Sequence, residues 1–149
     1  MEPFKLEILL VEDNLGDMRL IEEAMKIGGM EYNMNSVRDG EEAIEFLHKK
    51  GRYSNVTMPD IVLLDLRLPK KSGYEVLEEI KTSTKLKHIP VIILTSSNYQ
   101  EDIDKTYKMN ANCFITKPIE YEKLMFTIKS IKEFWTTIAS LPRQEGKEH

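Results

Sequence analysis

Four groups of side chains in this sequence have types suited to phosphate chemistry. They are the adjacent acids Glu12 and Asp13, a later Asp65, the hydroxyl run Thr95-Ser96-Ser97, and Lys117 just before Pro118. Three carboxylates brought together repel, and each raises the pKa of the others unless a cation joins them. A hard divalent ion answers that need, most naturally Mg²⁺, which keeps several waters beside one or two carboxylates. A lysine adds a mobile positive charge suited to a phosphoryl oxygen, and a hydroxyl can donate to another. Together these groups describe a pocket for phosphoryl transfer with a carboxylate as the nucleophile.

Each residue also has an ordinary structural reading. Asp13 can cap a helix starting near Leu15, Lys117 can be a solvated loop lysine, and Thr95 can simply end a strand. The functional reading depends on whether the fold brings all of them to one place.

The hydrophobic periodicity supplies such a fold. Short apolar runs at Leu6–Val11, Tyr32–Val37, Ile61–Leu64, Val91–Leu94 and Cys113–Ile115 alternate with longer stretches that can hold helices. The helical stretches are Leu15–Ile27, Gly40–Lys49, Gly73–Thr82, Gln100–Met109 and Tyr121–Ser140. The first, third and fourth apolar runs are nearly continuous, as in strands buried on both faces of a parallel sheet. The second is more polar and belongs near an edge. Asp39 and Ser72 are placed to cap the second and third helices, the latter with Glu75 in a capping box. Gly28-Gly29 can end the first helix, and Pro59, Pro69, Pro90 and Pro118 all fall at element boundaries. This alternation predicts an α/β fold, a doubly wound five-stranded parallel sheet with helices on both faces. In such sheets chemistry gathers outside the carboxyl ends of the strands, which is where Glu12-Asp13, Asp65, Thr95 and Lys117 all fall.

Composition removes several other classes. The chain has 149 residues, 41% hydrophobic and 31% charged, which is enough for one domain with its own core. One cysteine rules out a disulfide framework and multi-cysteine metal sites. No apolar run approaches the length of a membrane span, and the N-terminus turns acidic where a signal peptide would stay apolar, so the expected address is the cytoplasm. A net charge of −4 gives no basic footprint for nucleic acid. Cys113 falls inside an expected strand, and His48, His88 and His149 form no metal-binding pair.

With these residues in view, the sequence resembles the response-regulator receiver domains of two-component signalling, with a (βα)5 flavodoxin-like fold. The resemblance runs from Leu6 to about Ile138 and rests on Ile8–Asn14, Ile61–Lys81, Ile89–Ser97 and Cys113–Ile119. It implies that Asp65 accepts a phosphoryl group from a phosphohistidine on a sensor histidine kinase. It also implies that Asp13 and Asp65 hold Mg²⁺ directly, with Glu12 acting through water and the backbone carbonyl of Arg67 as a further ligand. Lys117 would pair with phosphoryl oxygens, Pro118 would follow a cis peptide bond, Thr95 would be the switch hydroxyl, and Phe114 would take the place of an aromatic switch. Phe114 lacks a hydroxyl, so any switching there must rest on packing. The segment Asp65–Lys81 and the region Glu42–Pro59 further resemble stand-alone receivers that partner bacterial phytochromes.

The resemblance leaves the output to a protein contact. Residues 1–141 are expected to form the receiver, and 142–149 a polar, disordered tail with no separate output domain. The last helix, expected over Tyr121–Ser140, would be about 30 Å long. Phe134, Trp135 and Ile138 near its end are candidate anchors for a homodimer. The downstream partner is not named by the sequence; direct contact with DNA or a membrane is not expected. The domain would be its own substrate and not a turnover enzyme. The alternatives are a haloacid-dehalogenase-type phosphohydrolase, which wants an acid where Arg67 stands, a flavodoxin-like nucleotide carrier, and a degenerate receiver acting as a scaffold.

Overall fold

The computed structural model describes residues 5–29 and 31–133. Strands β1 (Leu6–Val11), β2 (Tyr32–Val37), β3 (Ile61–Leu64), β4 (Val91–Thr95) and β5 (Cys113–Thr116) form one parallel sheet in the order β2-β1-β3-β4-β5. Helices α1 (Leu15–Ile27), α2 (Gly40–Leu47), α3 (Gly73–Thr82), α4 (Gln100–Lys108) and α5 (Tyr121–Glu133) connect and follow the strands. The more polar β2 is an edge strand, as its composition predicts. β3 and β4 are buried along their whole length because both of their faces are covered.

Alternate strand residues feed two cores. On one face Leu9, Val11, Val62, Leu64, Val91 and Ile93 meet Phe46 of α2 and Val76, Leu77 and Ile80 of α3. On the other, Ile8, Leu10, Leu63, Ile92 and Leu94 meet Met18, Ile21 and Met25 of α1 and Leu124 and Ile128 of α5. Burying each of these side chains is worth about 2 kcal/mol. The sheet is therefore a rigid platform, and its strand ends are fixed relative to one another.

Local signals set the element ends. Asp39 accepts from the Glu42 N–H at 2.7 Å, and Ser72 and Glu75 form the complete capping box that opens α3. Asn14, not Asp13, caps α1: its Oδ1 accepts from the Asp17 N–H at 2.9 Å, which leaves the Asp13 carboxylate out of that role. Gly29 ends α1 with φ +70°, a value that suits glycine. The second helix stops at Leu47, short of the expected Lys49, because Lys49 turns to φ 54° and leads into a 3₁₀ turn at Gly51–Tyr53. β4 and β5 each run one residue further than expected, since Thr95 and Thr116 pair across the sheet. α4 ends one residue early, at Lys108.

α4 differs from the other helices in what holds it. Thr106 is its one buried residue, and Tyr107 is exposed. The Tyr107 hydroxyl accepts from the backbone N–H of Phe114 on β5 at 3.1 Å. α5 is described only to Glu133, so Phe134, Trp135, Ile138 and the tail at 142–149 lie outside the described residues. Among the described residues no helix is long and apolar enough to cross a membrane.

Candidate functional site

β1 and β3 lie side by side at the point where the strand order reverses, and their ends open the crevice between them. Glu12 and Asp13 leave the end of β1, and Asp65 leaves the end of β3. The Asp65 N–H donates to the Val11 carbonyl at 3.0 Å and the Glu12 N–H to Val37 at 3.0 Å, so the sheet hydrogen bonding fixes both backbones. One carboxylate oxygen from each of Glu12, Asp13 and Asp65 can be chosen so that all three lie within 4.8 Å of one another. Glu12 and Asp65 are buried and Asp13 half-buried.

Lys117 enters from β5. Its N–H donates to the Thr95 carbonyl at 2.7 Å, which ties the ends of β4 and β5 together, and the Lys117–Pro118 peptide bond is cis. Its Nζ donates to Glu12 Oε2 at 2.5 Å, Asp17 Oδ2 at 2.9 Å and Asp65 Oδ2 at 3.1 Å. The other Asp65 oxygen accepts from the Arg67 N–H at 3.2 Å, and Glu12 Oε1 accepts from the Asn14 N–H at 3.1 Å. Thr95 is fully buried beside this group, and its Oγ1 accepts from the Ser97 N–H at 3.5 Å.

The loop after Asp65 is held closely as well. The Gly73 N–H donates to the Leu66 carbonyl at 2.9 Å, and a Cβ at Gly73 would stand 2.2 Å from the Asp65 carbonyl oxygen. Glycine is needed there for close approach of two backbones. The start of α3 is thereby pressed against the Asp65–Leu66 backbone.

Electrostatics follow from the burial. Desolvation pushes the Glu12 carboxyl up to about 7, against the opposing pull of Lys117 and the Asn14 N–H. Burial alone would lower the Lys117 pKa, but its bonds to Glu12 and Asp17 and the charge of Asp65 outweigh it and hold the ammonium protonated. The site thus contains more acid than one lysine neutralises, and its donors are all oxygens. That donor set fits a hard divalent cation.

The structure brings Glu12, Asp13, Asp65 and Lys117 together, with Thr95 at the end of the neighbouring strand, as the strand-end argument requires. Arg67 contributes its backbone N–H, and its side chain is exposed. Phe114 is half-buried and packs against the α2/α3 core. Asp17, a direct partner of Lys117, did not emerge from the motifs. Its signal was its place three residues after the Asn14 cap, in the first turn above the same sheet edge.

Compared with known proteins, residues 8–129 match the family model of the response regulator receiver domain. The chain belongs to this family. A receiver of similar sequence is the response regulator Rcp1 of Synechocystis sp. (strain PCC 6803), 42% identical over 135 residues that cover 91% of this chain and 92% of the relative. The structure of the phosphorylated cyanobacterial phytochrome response regulator RcpA superposes with a TM-score of 0.81 at 45% identity, covering 94% of this receiver and 100% of that chain. The Mn²⁺-bound form of Rcp1 superposes with a TM-score of 0.79 at 40% identity, covering 93% of this receiver and 99% of that chain. The receiver is thus a two-component phosphorelay regulator similar to those of phytochrome signalling. With Arg67 where a haloacid dehalogenase wants its second acid, the hydrolase alternative is not favoured.

Proposed function

We propose that Asp65 accepts a phosphoryl group from a phosphohistidine on a sensor histidine kinase, and that Lys117, Thr95 and Mg²⁺ assist the transfer. One observation carries this reading. Asp65 is buried at the end of the central strand β3, with one carboxylate oxygen on Lys117 Nζ and the other on a backbone N–H. These two contacts orient the nucleophile, and Lys117 is placed to follow a phosphoryl oxygen as charge builds on it. In the transfer, a carboxylate oxygen of Asp65 forms the new bond to phosphorus as the phosphorus–nitrogen bond of the phosphohistidine breaks. The imidazole leaves with the electron pair.

Asp13 and Asp65 would hold the metal, Glu12 would act through water, and the Arg67 carbonyl is the further protein ligand in this reading. Asp13 supports that assignment, since Lys117 hydrogen-bonds to Glu12, Asp17 and Asp65 instead. When bound, Mg²⁺ supplies charge neutralisation for the acids and for the phosphoryl oxygens. Thr95 would donate to a phosphoryl oxygen, and Phe114 would respond by repacking. The domain is its own substrate, acts in the cytoplasm, and transmits its state by contact with a protein. The exposed Tyr99, at the N-cap of α4, and Tyr107, on α4, favour that contact over one with nucleic acid, and self-association is included in it.

The test is intact mass after incubation with Mg²⁺ and a small phosphodonor, wild type beside Asp65→Asn. Gain of one phosphoryl group by the wild type alone is the expected result. Equal labelling of both proteins overturns the assignment of Asp65. Light scattering on the same samples reads self-association.

A further inference from the structure

α4 has little apolar seating, yet a chain of polar contacts joins it to the Asp65 pocket. The Ser97 hydroxyl donates to Asp102 Oδ2 and the Tyr74 hydroxyl to Asp102 Oδ1, so one carboxylate of α4 is gripped on both oxygens. Ser97 lies two residues beyond Thr95, and its N–H is the donor to Thr95 Oγ1. Tyr74 is the second residue of α3, directly after Gly73, whose backbone is packed on the Asp65–Leu66 backbone. Lys105, on the next turn of α4, places its Nζ 4.0 Å from the centre of the Tyr74 ring. α4 is therefore fastened to both ends of the site, to the Thr95 loop through Ser97 and to the Asp65 loop through Tyr74.

We propose that Tyr74, Ser97 and Asp102 form a latch that couples a phosphoryl group on Asp65 to the placing of α4; this rests on the phosphoacceptor reading above. Thr95 Oγ1 accepts from the Ser97 N–H, which links the hydroxyl to the loop that leads into α4. Turning it toward a phosphoryl oxygen moves Ser97 with it, and the Ser97 hydroxyl cannot follow while it donates to Asp102. The latch and the phosphoryl group compete for the Thr95–Ser97 segment. Tyr74 and Asp102 are positioning residues: they touch no reacting atom and set the free-energy cost of drawing Thr95 across. Two donors on a single carboxylate also make the effects of Tyr74 and Asp102 one effect, not two.

The test is the equilibrium affinity of the full chain for beryllofluoride with Mg²⁺, a mimic of the phosphorylated carboxylate, read by intrinsic fluorescence. Wild type, Tyr74→Phe, Asp102→Ala and the double variant are compared. Each single variant should bind roughly fivefold tighter or more, within the usual range of coupling between sites. The double variant should bind no tighter than Asp102→Ala alone. Without the mimic, amides of α4 in Tyr74→Phe should exchange hydrogen faster than in wild type, with circular dichroism unchanged. Affinities within twofold of wild type for both single variants, or additive effects in the double, overturn the latch and leave the phosphoacceptor reading intact. A wild type that neither binds the mimic nor gains a phosphoryl group removes the phosphoacceptor reading, and the latch with it.

Discussion

Lys117 Nζ stands 3.1 Å from Asp65 Oδ2, although 52 residues separate the two in sequence. Neighbouring strands bring them together: β3 carries Asp65, β5 carries Lys117, and β4 lies between with Thr95 at its end. The lysine is held by Glu12 and Asp17 as well, so its position does not depend on Asp65 alone.

Replacing that lysine separates its electrostatic role from its place in the fold. Lys117→Met should slow phosphorylation of Asp65 by a small donor roughly 100-fold, the usual cost of losing one donor to a developing charge. The check is the initial rate of mass gain at saturating Mg²⁺. A rate equal to wild type would take Lys117 out of the transfer.

Glu12 makes stability depend on pH. Its carboxyl rises from 4.5 to about 7 on folding, chiefly by burial, so the folded chain binds more protons across that window. Stability from this group is fully present below about pH 4.5 and is lost as pH rises through about 7, by on the order of 3 kcal/mol. Urea unfolding in a chelator, wild type against Glu12→Gln, should show the two curves diverging over that range. Parallel curves would mean that Glu12 does not titrate there.

Metal binding should act through Asp13 and not through Asp17. At a hundred times its dissociation constant, Mg²⁺ should stabilise the wild type by about 2.7 kcal/mol. Asp13→Asn should abolish the thermal shift. Asp17→Asn should keep most of it, because Asp17 serves Lys117 and is not in the acid cluster. The reverse pattern would place the cation elsewhere.

Gly73 can be tested without touching a charged group. An added methyl would meet backbone atoms, the Asp65 carbonyl oxygen at 2.2 Å and the Leu66 Cα at 2.5 Å, and neither can swing aside. Gly73→Ala should cost about 3 kcal/mol, in the overpacking range, and should slow phosphorylation by displacing the Asp65 loop. Denaturation and initial rates read the two effects.

The strands and helix starts were legible because each rests on local chemistry. Ile61–Leu64 reads as a strand buried on both faces, and Ser72 with Glu75 marks the start of α3 to the residue. Glu12, Asp13, Asp65 and Lys117 were legible because each lies within two residues of a strand's end, where topology fixes its place. Asp17 was not, since its role depends on how far a lysine from β5 reaches across the sheet. Nor were Tyr74 and Asp102, which sit on separate helices 28 residues apart and meet only after α3 and α4 have docked. The shortened α2 likewise depended on backbone dihedrals at Lys49 and Gly51 that the residue types alone do not dictate.

The Tyr107–Phe114 hydrogen bond bears on how two such molecules can meet. β5 is the edge strand opposite β2, and an outer strand with open N–H groups is a template on which a foreign strand can add. The Phe114 N–H, turned away from β4, is already occupied by a phenol from the same chain. A visiting strand would have to displace Tyr107 before it could pair at Phe114. Contact along this edge is thereby steered toward side chains that can part again, and away from extension of the sheet into a polymer.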